Sequence, residues 1–169
     1  PCCFGSALKL EGVEALLHLL DVYAPVREYG TAFAARVYKI SRDDSGARLT
    51  WLKVTGGTLR VRQTLRLTGP KGEITEEKAQ QLRLYSGDKF TAPEEIPAGT
   101  LAAVTGLTGS YIGQTLGAEP AGPEAAMEPV MNYRVNLPPQ VDPAHALPKL
   151  RQLEEEDPQL RLRGEQGQI

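Results

Sequence analysis

Apolar and polar residues alternate through the middle of the chain, from about residue 31 to residue 116. Between Thr58 and Leu67, leucine and valine take most odd-numbered positions, while threonine and arginine take most even-numbered ones. A period of two is that of a β-strand, in which successive side chains point to opposite faces. The pattern therefore predicts one half-buried strand over residues 58–67 with a basic outer face.

Turn residues divide the rest of this region into short apolar runs. Asp43 to Gly46 separates Ala34–Ser41 from Leu49–Val54 and is typical of a hairpin turn. Glycine and proline separate three further runs, Gln81–Tyr85, Leu101–Leu107 and Ile112–Leu116. Many short strands at close spacing predict a closed β-barrel or a sandwich. Trp51, the single tryptophan, lies inside one predicted strand, and we expect it in the core rather than as a stacking platform.

The first 26 residues follow a different pattern. An apolar run, Pro1 to Phe4, precedes Gly5, Ser6 and Ala7, and predicts a short strand that these small residues end. From Glu11 onward, apolar residues recur at helical spacing, at Val13, Leu16, Leu17, Leu20 and Tyr23. Pro25 ends this predicted helix. One strand and one helix cannot bury their own apolar faces, so we interpret them as the last βα unit of a domain that begins before Pro1.

The C-terminal region predicts an incomplete βαβ unit. Residues 117–128 are rich in glycine, proline and alanine and indicate a linker. Val130–Val135 can then form a strand, and Leu160–Arg163 can start a second one. Between them, Asp142 followed by Pro143 is a helix start, and a leucine stripe follows it.

Two features oppose this second helix. Pro148 removes a backbone donor, and the acidic run Glu154 to Asp157 lies at the unfavourable end of the helix dipole. We therefore expect the helix to start late or to kink at Pro148. The acidic run is interpreted as a solvated helix end rather than as a pair of catalytic carboxylates.

Composition excludes several classes of protein. The 169 residues are 41% hydrophobic and 24% charged, which is enough apolar material for a packed core. No run of 18 apolar residues occurs, so we expect no membrane partner. Cys2 and Cys3 are adjacent, which suits neither a disulfide framework nor a zinc site, and we expect a buried pair in a reducing cytoplasm. His18 and His145 have no neighbouring metal ligand or nucleophile in the sequence, so no metal or catalytic residue is predicted.

Charge is distributed unevenly although the net charge is only −2. Residues 27–90 contain 13 Lys and Arg against 7 Asp and Glu, a net charge of +6, and the remaining residues carry −8. A basic segment in an acidic chain indicates a polyanionic partner, of which RNA is the foremost candidate. The alternative is that these cations simply cover the solvent face of the strands.

Three stretches, in this order, resemble the translational GTPases of the elongation factor G family. Phe4 to Lys9, with the helix after it, resembles the fifth guanine-nucleotide motif of their GTP-binding domain. Gly57 to Leu59, Ala98 to Leu107 and Gly113 to Leu116 resemble their second domain, a β-barrel. Glu128 to Val130 and Glu156 to Pro158 resemble the start of their third domain.

Departures from the family pattern point to one branch. Those barrels usually have a Gly-Asp pair where this chain has Arg62-Gln63, and another where it has Gly113-Gln114. The divergence is most similar to the ribosomal-protection tetracycline-resistance proteins. The resemblance implies a mainly β fold: residues 1–26 as the end of the GTP-binding domain, 27–117 as the barrel, 118–128 as a linker and 129–169 as a truncated third domain with its partial βαβ unit.

The resemblance also implies site residues. Ser6, Ala7 and Leu8 would line the guanine base of GTP, although a bare Gly-Ser-Ala turn is equally typical of any strand-to-helix junction. The barrel would touch RNA of the small ribosomal subunit, and six basic residues are candidates for phosphate contact: Arg36, Lys39, Arg48, Arg60, Arg62 and Arg66. Arg60, Arg62 and Arg66 are expected on one strand face.

The chain contains no phosphate-binding Gly-x-x-x-x-Gly-Lys-Ser/Thr loop and no Asn-Lys-x-Asp. GTP and magnesium are therefore expected as cofactors of a full-length parent protein in the cytoplasm, and this chain alone is expected to be a monomer without GTPase activity. Two other functions remain open: a free-standing barrel that binds RNA or oligosaccharide, and a small hydrolase that uses Cys2 or Cys3 with a histidine.

Overall fold

A computed structural model describes residues 1–25, 27–70, 72–122 and 130–163. Within these residues, two helices flank ten strands. The helices are α1 (Val13–Tyr23) and α2 (Pro143–Glu156), and a short 3-10 turn follows at Pro158–Leu160. The strands are β1 (Ala34–Arg42), β2 (Arg48–Gly56), β3 (Thr58–Arg60), β4 (Thr64–Thr68), β5 (Ile74–Lys78), β6 (Gln81–Ser86), β7 (Lys89–Thr91), β8 (Glu95–Pro97), β9 (Leu101–Thr105) and β10 (Thr115–Gly117).

Six of the strands form one antiparallel sheet in the order β10-β1-β2-β9-β6-β7. Two further pairs of strands, β3 with β8 and β4 with β5, form two-stranded ribbons that pack on the same core. Leu52 of the sheet and Leu59 and Leu67 of the ribbons belong to one core of buried residues, all below 4% exposure. Because every member of this core lies between Ala35 and Leu116, the predicted mainly β, barrel-like fold is confirmed.

The predicted hairpin at Asp43 is confirmed. The Asp43 backbone N–H donates to the Ala47 carbonyl at 3.0 Å, and the Gly46 N–H donates back to the Asp43 carbonyl at 2.8 Å. Gly46 has a φ of +81°, which glycine adopts without steric cost. The turn joins β1 to β2 in the register that places Arg42 opposite Arg48.

The single strand expected over residues 58–67 was wrong, because the chain turns sharply in its middle. Arg62 has a φ of +63°, a left-handed conformation that no strand continues through, and its N–H donates to the Ala79 carbonyl at 2.7 Å. The two halves therefore pair with different partners, β3 with β8 and β4 with β5. The family's usual glycine at this position fits such a backbone better than arginine does.

The N-terminal region forms the predicted helix but not the predicted strand. Val13–Tyr23 is helical, and the helix ends immediately before Pro25 as expected. Residues 1–5 form no strand, because a strand needs a neighbour to accept its hydrogen bonds and none in the described part of the chain runs beside them. The apolar face of α1 stays exposed, with Leu17 at 59% and Leu20 at 54%.

The C-terminal helix is longer than expected, and the strands around it are absent from the described residues. Asp142 caps α2 by accepting a hydrogen bond from the Ala144 N–H at 2.9 Å, so the helix starts at Pro143 and continues through Pro148 to Glu156. Residues 130–135 form no strand. Instead of a strand at Leu160–Arg163, a 3-10 turn forms, since Asp157 accepts a hydrogen bond from the Gln159 N–H at 3.0 Å.

Only part of the predicted linker can be described, since residues 123–129 lie outside the described ranges. Its first residues are held against the barrel. The Ala118 N–H donates to the Phe33 carbonyl at 2.9 Å, and Arg36 donates to the Pro120 carbonyl at 3.1 Å. Residues 118–120 are therefore bound to the sheet, and we call this segment the strap.

Candidate functional site

The predicted guanine-contacting residues lie in a tight turn before α1. Ser6 and Glu11 exchange backbone hydrogen bonds of 3.0 and 3.1 Å, which closes the turn. A Cβ on Gly5 would lie 2.7 Å from the Glu11 carbonyl oxygen, so only glycine allows this approach. Leu8 is 96% exposed, and the N–H groups of Ala7 and Leu8 donate to no group among the described residues. The turn thus presents unpaired donors to solvent, and the base contact stays a prediction.

Arg48 is the least accessible of the six basic candidates. Its guanidinium donates to the Ser110 hydroxyl at 2.9 Å, to the Ser110 carbonyl at 2.6 Å and to the Leu107 carbonyl. On its other side it donates to Glu155 of α2 at 3.1 Å. Only 12% of the side chain is exposed. Its geometry does not favour the predicted RNA contact, because its donors are already used to join the barrel to α2.

Arg36 is also bound internally. Its guanidinium lies 3.0 Å from the Glu119 carboxylate, which in turn accepts a hydrogen bond from the Thr55 hydroxyl. Together with the bond to Pro120, this fixes the strap on the outer face of β1 and β2. The Arg36 guanidinium is therefore already paired within the protein, which does not favour the predicted contact with RNA.

The remaining four candidates are exposed: Lys39 lies on β1, and the three arginines, Arg60, Arg62 and Arg66, do not share one strand face. Arg60 of β3 pairs with Glu95 at 3.2 Å and is 73% exposed, and Arg66 of β4 lies 3.9 Å from Glu76 and is 71% exposed. Arg62 projects from the left-handed turn between these strands, and no ion pair to it occurs within the described ranges. The three are distributed over two ribbons because the chain turns at Arg62.

Sequence reasoning missed an aromatic cluster on the outer face of the large sheet. Trp51 of β2 lies 5.0 Å from Tyr85 of β6, and Tyr85 lies 5.2 Å from Phe90 of β7, measured between ring centroids. The Lys39 ammonium lies 5.6 Å from the Trp51 ring, and the Arg83 guanidinium lies 4.5 Å from the Phe90 ring. The expectation that Trp51 is a core residue was wrong, since it alternates with the buried Leu52 and points outward.

One ion pair holds the β1–β2 hairpin over this cluster. Arg83 donates to the Asp43 carboxylate at 2.9 Å, and the other carboxylate oxygen accepts hydrogen bonds from the Ser45 hydroxyl at 2.6 Å and the Ala47 N–H at 2.9 Å. These bonds favour the charged form, so that Ser45, Arg83 and Ala47 hold the pKa of Asp43 at about 2.

The cysteines and histidines form no further site in the described part of the chain. Cys2 and Cys3 are both exposed, which corrects the expectation of a buried pair. His145 lies 3.4 Å from Asp142 at the start of α2. Across residues 1–25, 27–70, 72–122 and 130–163, no three His, Cys, Asp or Glu side chains come together as metal ligands. Neither described helix is long and apolar enough to cross a membrane.

Comparison with known proteins identifies relatives, although no protein-family model matches the chain. Elongation factor 2 of Thermococcus sibiricus is 30% identical and that of Pyrococcus abyssi 31% identical, each over an alignment of 131 residues that covers 75% of this chain and 18% of the relative. The oxytetracycline resistance protein of Streptomyces rimosus is 29% identical over 175 residues, covering 96% of this chain and 26% of that protein.

A solved structure also resembles this chain over most of its length. A crystal structure of a Thermus thermophilus protein matches 93% of this chain and 25% of its own, with a TM-score of 0.66 and 27% identity. The chain thus spans about a quarter or less of each of these relatives. Elongation factor 2 and the oxytetracycline resistance protein are its homologues, which confirms the resemblance at this level.

Proposed function

We propose that this chain is the middle segment of a ribosome-associated translational GTPase of the elongation factor G family. The observation that carries the proposal is the match to the oxytetracycline resistance protein, which extends over 96% of the chain. One alignment thus covers nearly all of the sequence that forms the turn at Ser6, the barrel and the C-terminal helix. The barrel and its flanks would serve as a scaffold and as a ribosome-contact surface, while the complete protein binds and hydrolyses GTP.

Within that family we place the parent in the ribosomal-protection branch, whose members release tetracycline from the small subunit. The match to the oxytetracycline resistance protein covers 96% of the chain, whereas the elongation factor 2 matches cover 75% of it. A ribosome-bound GTPase of this kind acts in the cytoplasm.

GTP and magnesium would be held mainly by the part of the parent that precedes Pro1. This chain would add the turn at Ser6, Ala7 and Leu8, whose free N–H groups can donate to a guanine oxygen. The sequence of the chain contains no phosphate-binding Gly-x-x-x-x-Gly-Lys-Ser/Thr loop, so we expect the chain by itself to bind GTP negligibly.

The exposed basic residues provide the RNA-contact surface. Arg60, Arg62 and Arg66 keep most of their side chains in solvent, and their partners Glu95 and Glu76 are themselves exposed. Exposed ion pairs of this kind are worth about 0–1 kcal/mol, so a phosphate can replace the carboxylate at little cost. Phosphate contacts of this type give binding that falls steeply with salt.

The experiment uses the parent protein, small ribosomal subunits and bound tetracycline. We expect the parent with a non-hydrolysable GTP analogue to sediment with the subunits and release radiolabelled tetracycline, and a triple substitution of Arg60, Arg62 and Arg66 by glutamine to weaken sedimentation. Binding that is independent of both GTP and salt would contradict the proposal. Binding and GTP hydrolysis without drug release would retain the GTPase but refute the ribosomal-protection branch.

A second function follows from the self-contained barrel core. Because the core uses only residues between Ala35 and Leu116, the barrel can fold without either flank and act as an RNA-binding module with no GTPase activity. That function predicts salt-dependent RNA binding by the parent with no effect of GTP on it.

A further inference from the structure

The aromatic cluster on the large sheet is an organised surface. Ala103 of β9 lies directly between Trp51 and Arg83 in the strand register. Its small side chain lets the Trp51 ring extend across β9 and approach Tyr85 at 5.0 Å. Phe90 pairs with Tyr85 on the neighbouring strand and extends the row, with 43% of its surface exposed. The result is a row of three rings across β2, β6 and β7.

Two hairpins turn this row into a groove of about 650 Å³. One wall is the β1–β2 hairpin, which the Asp43–Arg83 ion pair fixes over the sheet. The other wall is the β6–β7 turn at Gly87 and Asp88. The volume lies in the range of small-ligand sites, which bind well when their walls are already in place.

Two lysines that do not line the groove itself add positive charge beside Trp51, at its edge. Lys39 is paired with Trp51 across the strands, and Lys53 follows two residues later on the same face of β2. No ion pair to either lysine occurs within the described ranges. Asp44 and Asp88, in contrast, stand on the two hairpin turns. A ligand with a flat apolar ring and an adjoining anionic group would place the ring on the aromatics and the anion toward the lysines.

We propose that this groove binds one unpaired nucleotide of an RNA, with its base stacked on the Tyr85–Phe90 pair and the adjoining phosphate beside Lys39 and Lys53. A base inside a duplex is already stacked and cannot reach the rings, so the site selects single-stranded or bulged RNA. This inference rests on the proposed function, since it states which feature of a ribosomal RNA the barrel recognises. It adds an aromatic site on the large sheet to RNA contacts that had been assigned to basic residues alone.

The single tryptophan makes a direct test possible. Trp51 lies within the ring cluster, so bound RNA changes its fluorescence without any added label. The 169-residue chain is titrated with a single-stranded RNA hexamer, with a hexamer of the same length that lacks its bases, and with a duplex of the same sequence. We expect saturable quenching by the single strand, binding at least about fivefold weaker to the baseless hexamer, and no quenching by the duplex.

Matched variants separate stacking from a general loss of structure. Phe90→Ala should weaken hexamer binding by about fivefold or more, because a stacked base is lost. Tyr133→Ala is the control, since Tyr133 is an aromatic residue with 82% exposure that lies outside the groove. This variant should bind the hexamer as tightly as the unmodified 169-residue chain does. Far-ultraviolet circular dichroism of both variants checks that the barrel is intact. Should Phe90→Ala unfold, Lys39→Gln and Lys53→Gln together provide the second test and should also weaken binding.

Three results would overturn the proposal. Equal affinity for the normal and baseless hexamers would show that only phosphate is recognised. Quenching by a proline-rich peptide but not by RNA would make the groove a peptide site. Unchanged hexamer binding in Phe90→Ala and in the lysine variant would place the RNA elsewhere. A fourth result, no hexamer binding by the unmodified 169-residue chain while the parent protein still sediments with small subunits, would refute this inference and leave the proposed function standing.

Discussion

Replacing Arg48 by methionine tests how the barrel is joined to α2. The side chain is 12% exposed, and its guanidinium bonds the Leu107 carbonyl and both Ser110 oxygens as well as Glu155. Methionine keeps much of the volume but leaves the Ser110 carbonyl without this donor, while the Leu107 carbonyl keeps hydrogen bonds from the Thr50 and Ser110 hydroxyls. Hydrogen bonds to a charged group are worth about 1.5–3 kcal/mol, and an abandoned buried acceptor costs about 1–3 kcal/mol. Allowing for partial access of water, we expect a loss of about 3 kcal/mol.

Urea unfolding monitored by Trp51 fluorescence measures this loss, since Trp51 lies on the same strand as Arg48. A loss of this size should lower the melting temperature by about 6–12 °C for a chain of this length. Arg48→Lys should recover only part of it, because lysine keeps the charge but cannot reproduce the planar fork of donors.

Glu155→Gln is the matched control for the helix side of the same contact. The Glu155 side chain is 43% exposed, and its carboxylate accepts hydrogen bonds from Arg48 and Arg42, both at 3.1 Å, on the exposed side of the contact. We therefore expect a cost below about 1 kcal/mol. A cost in Glu155→Gln equal to that in Arg48→Met would refute the reasoning, because it would place the stabilisation in the helix contact and not in the barrel.

Three further changes have expected outcomes. Arg62→Gly should raise the free energy of unfolding in urea by about 0.5–1 kcal/mol, because glycine adopts the left-handed turn that arginine adopts at a cost; a decrease would show that the Arg62 side chain stabilises the turn. Gln114→Ala should cost about 1–3 kcal/mol in the same assay, because the buried amide donates to the Thr68 carbonyl at 3.1 Å; no change would mean that water replaces it. Asp43 has a folded pKa of about 2 against an ordinary value of 3.8. Its stabilisation is therefore complete above about pH 4 and is lost as pH falls toward 2; in Asp43→Asn, unfolding curves between about pH 5 and pH 2 should lack this component, and an identical pH dependence in both proteins would contradict the assignment.

The barrel could be predicted because its strands carry their own signals. The turn residues Asp43 and Gly46 lie close together in the sequence, and so do the alternating apolar residues of β1 and β2. The structure has the turn and both strands where these local patterns predict them. The turn at Arg62 could not be read in the same way, because arginine rarely adopts a left-handed backbone and its neighbours continue the alternating pattern.

The same difference between local and long-range signals decides which site residues could be predicted. Arg48 looked like a surface cation because nothing near it in sequence reveals Leu107 and Ser110, which lie 59 and 62 residues away along the chain. The outward position of Trp51, in contrast, was available, since Leu52 and Val54 fix the inward phase of β2 and leave residue 51 on the other face. Tyr85 and Phe90 flank the turn at Gly87, so their pairing could also have been predicted from a hairpin there.

The sequence of the reading frame before Pro1 tests the central claim most directly. A translational GTPase must supply the phosphate-binding and base-binding elements that this chain lacks. The account predicts a Gly-x-x-x-x-Gly-Lys-Ser/Thr loop followed by an Asn-Lys-x-Asp, both within about one to two domain lengths upstream. A start codon beside Pro1, or an upstream sequence with neither element, would contradict the claim and leave the barrel as an RNA-binding module.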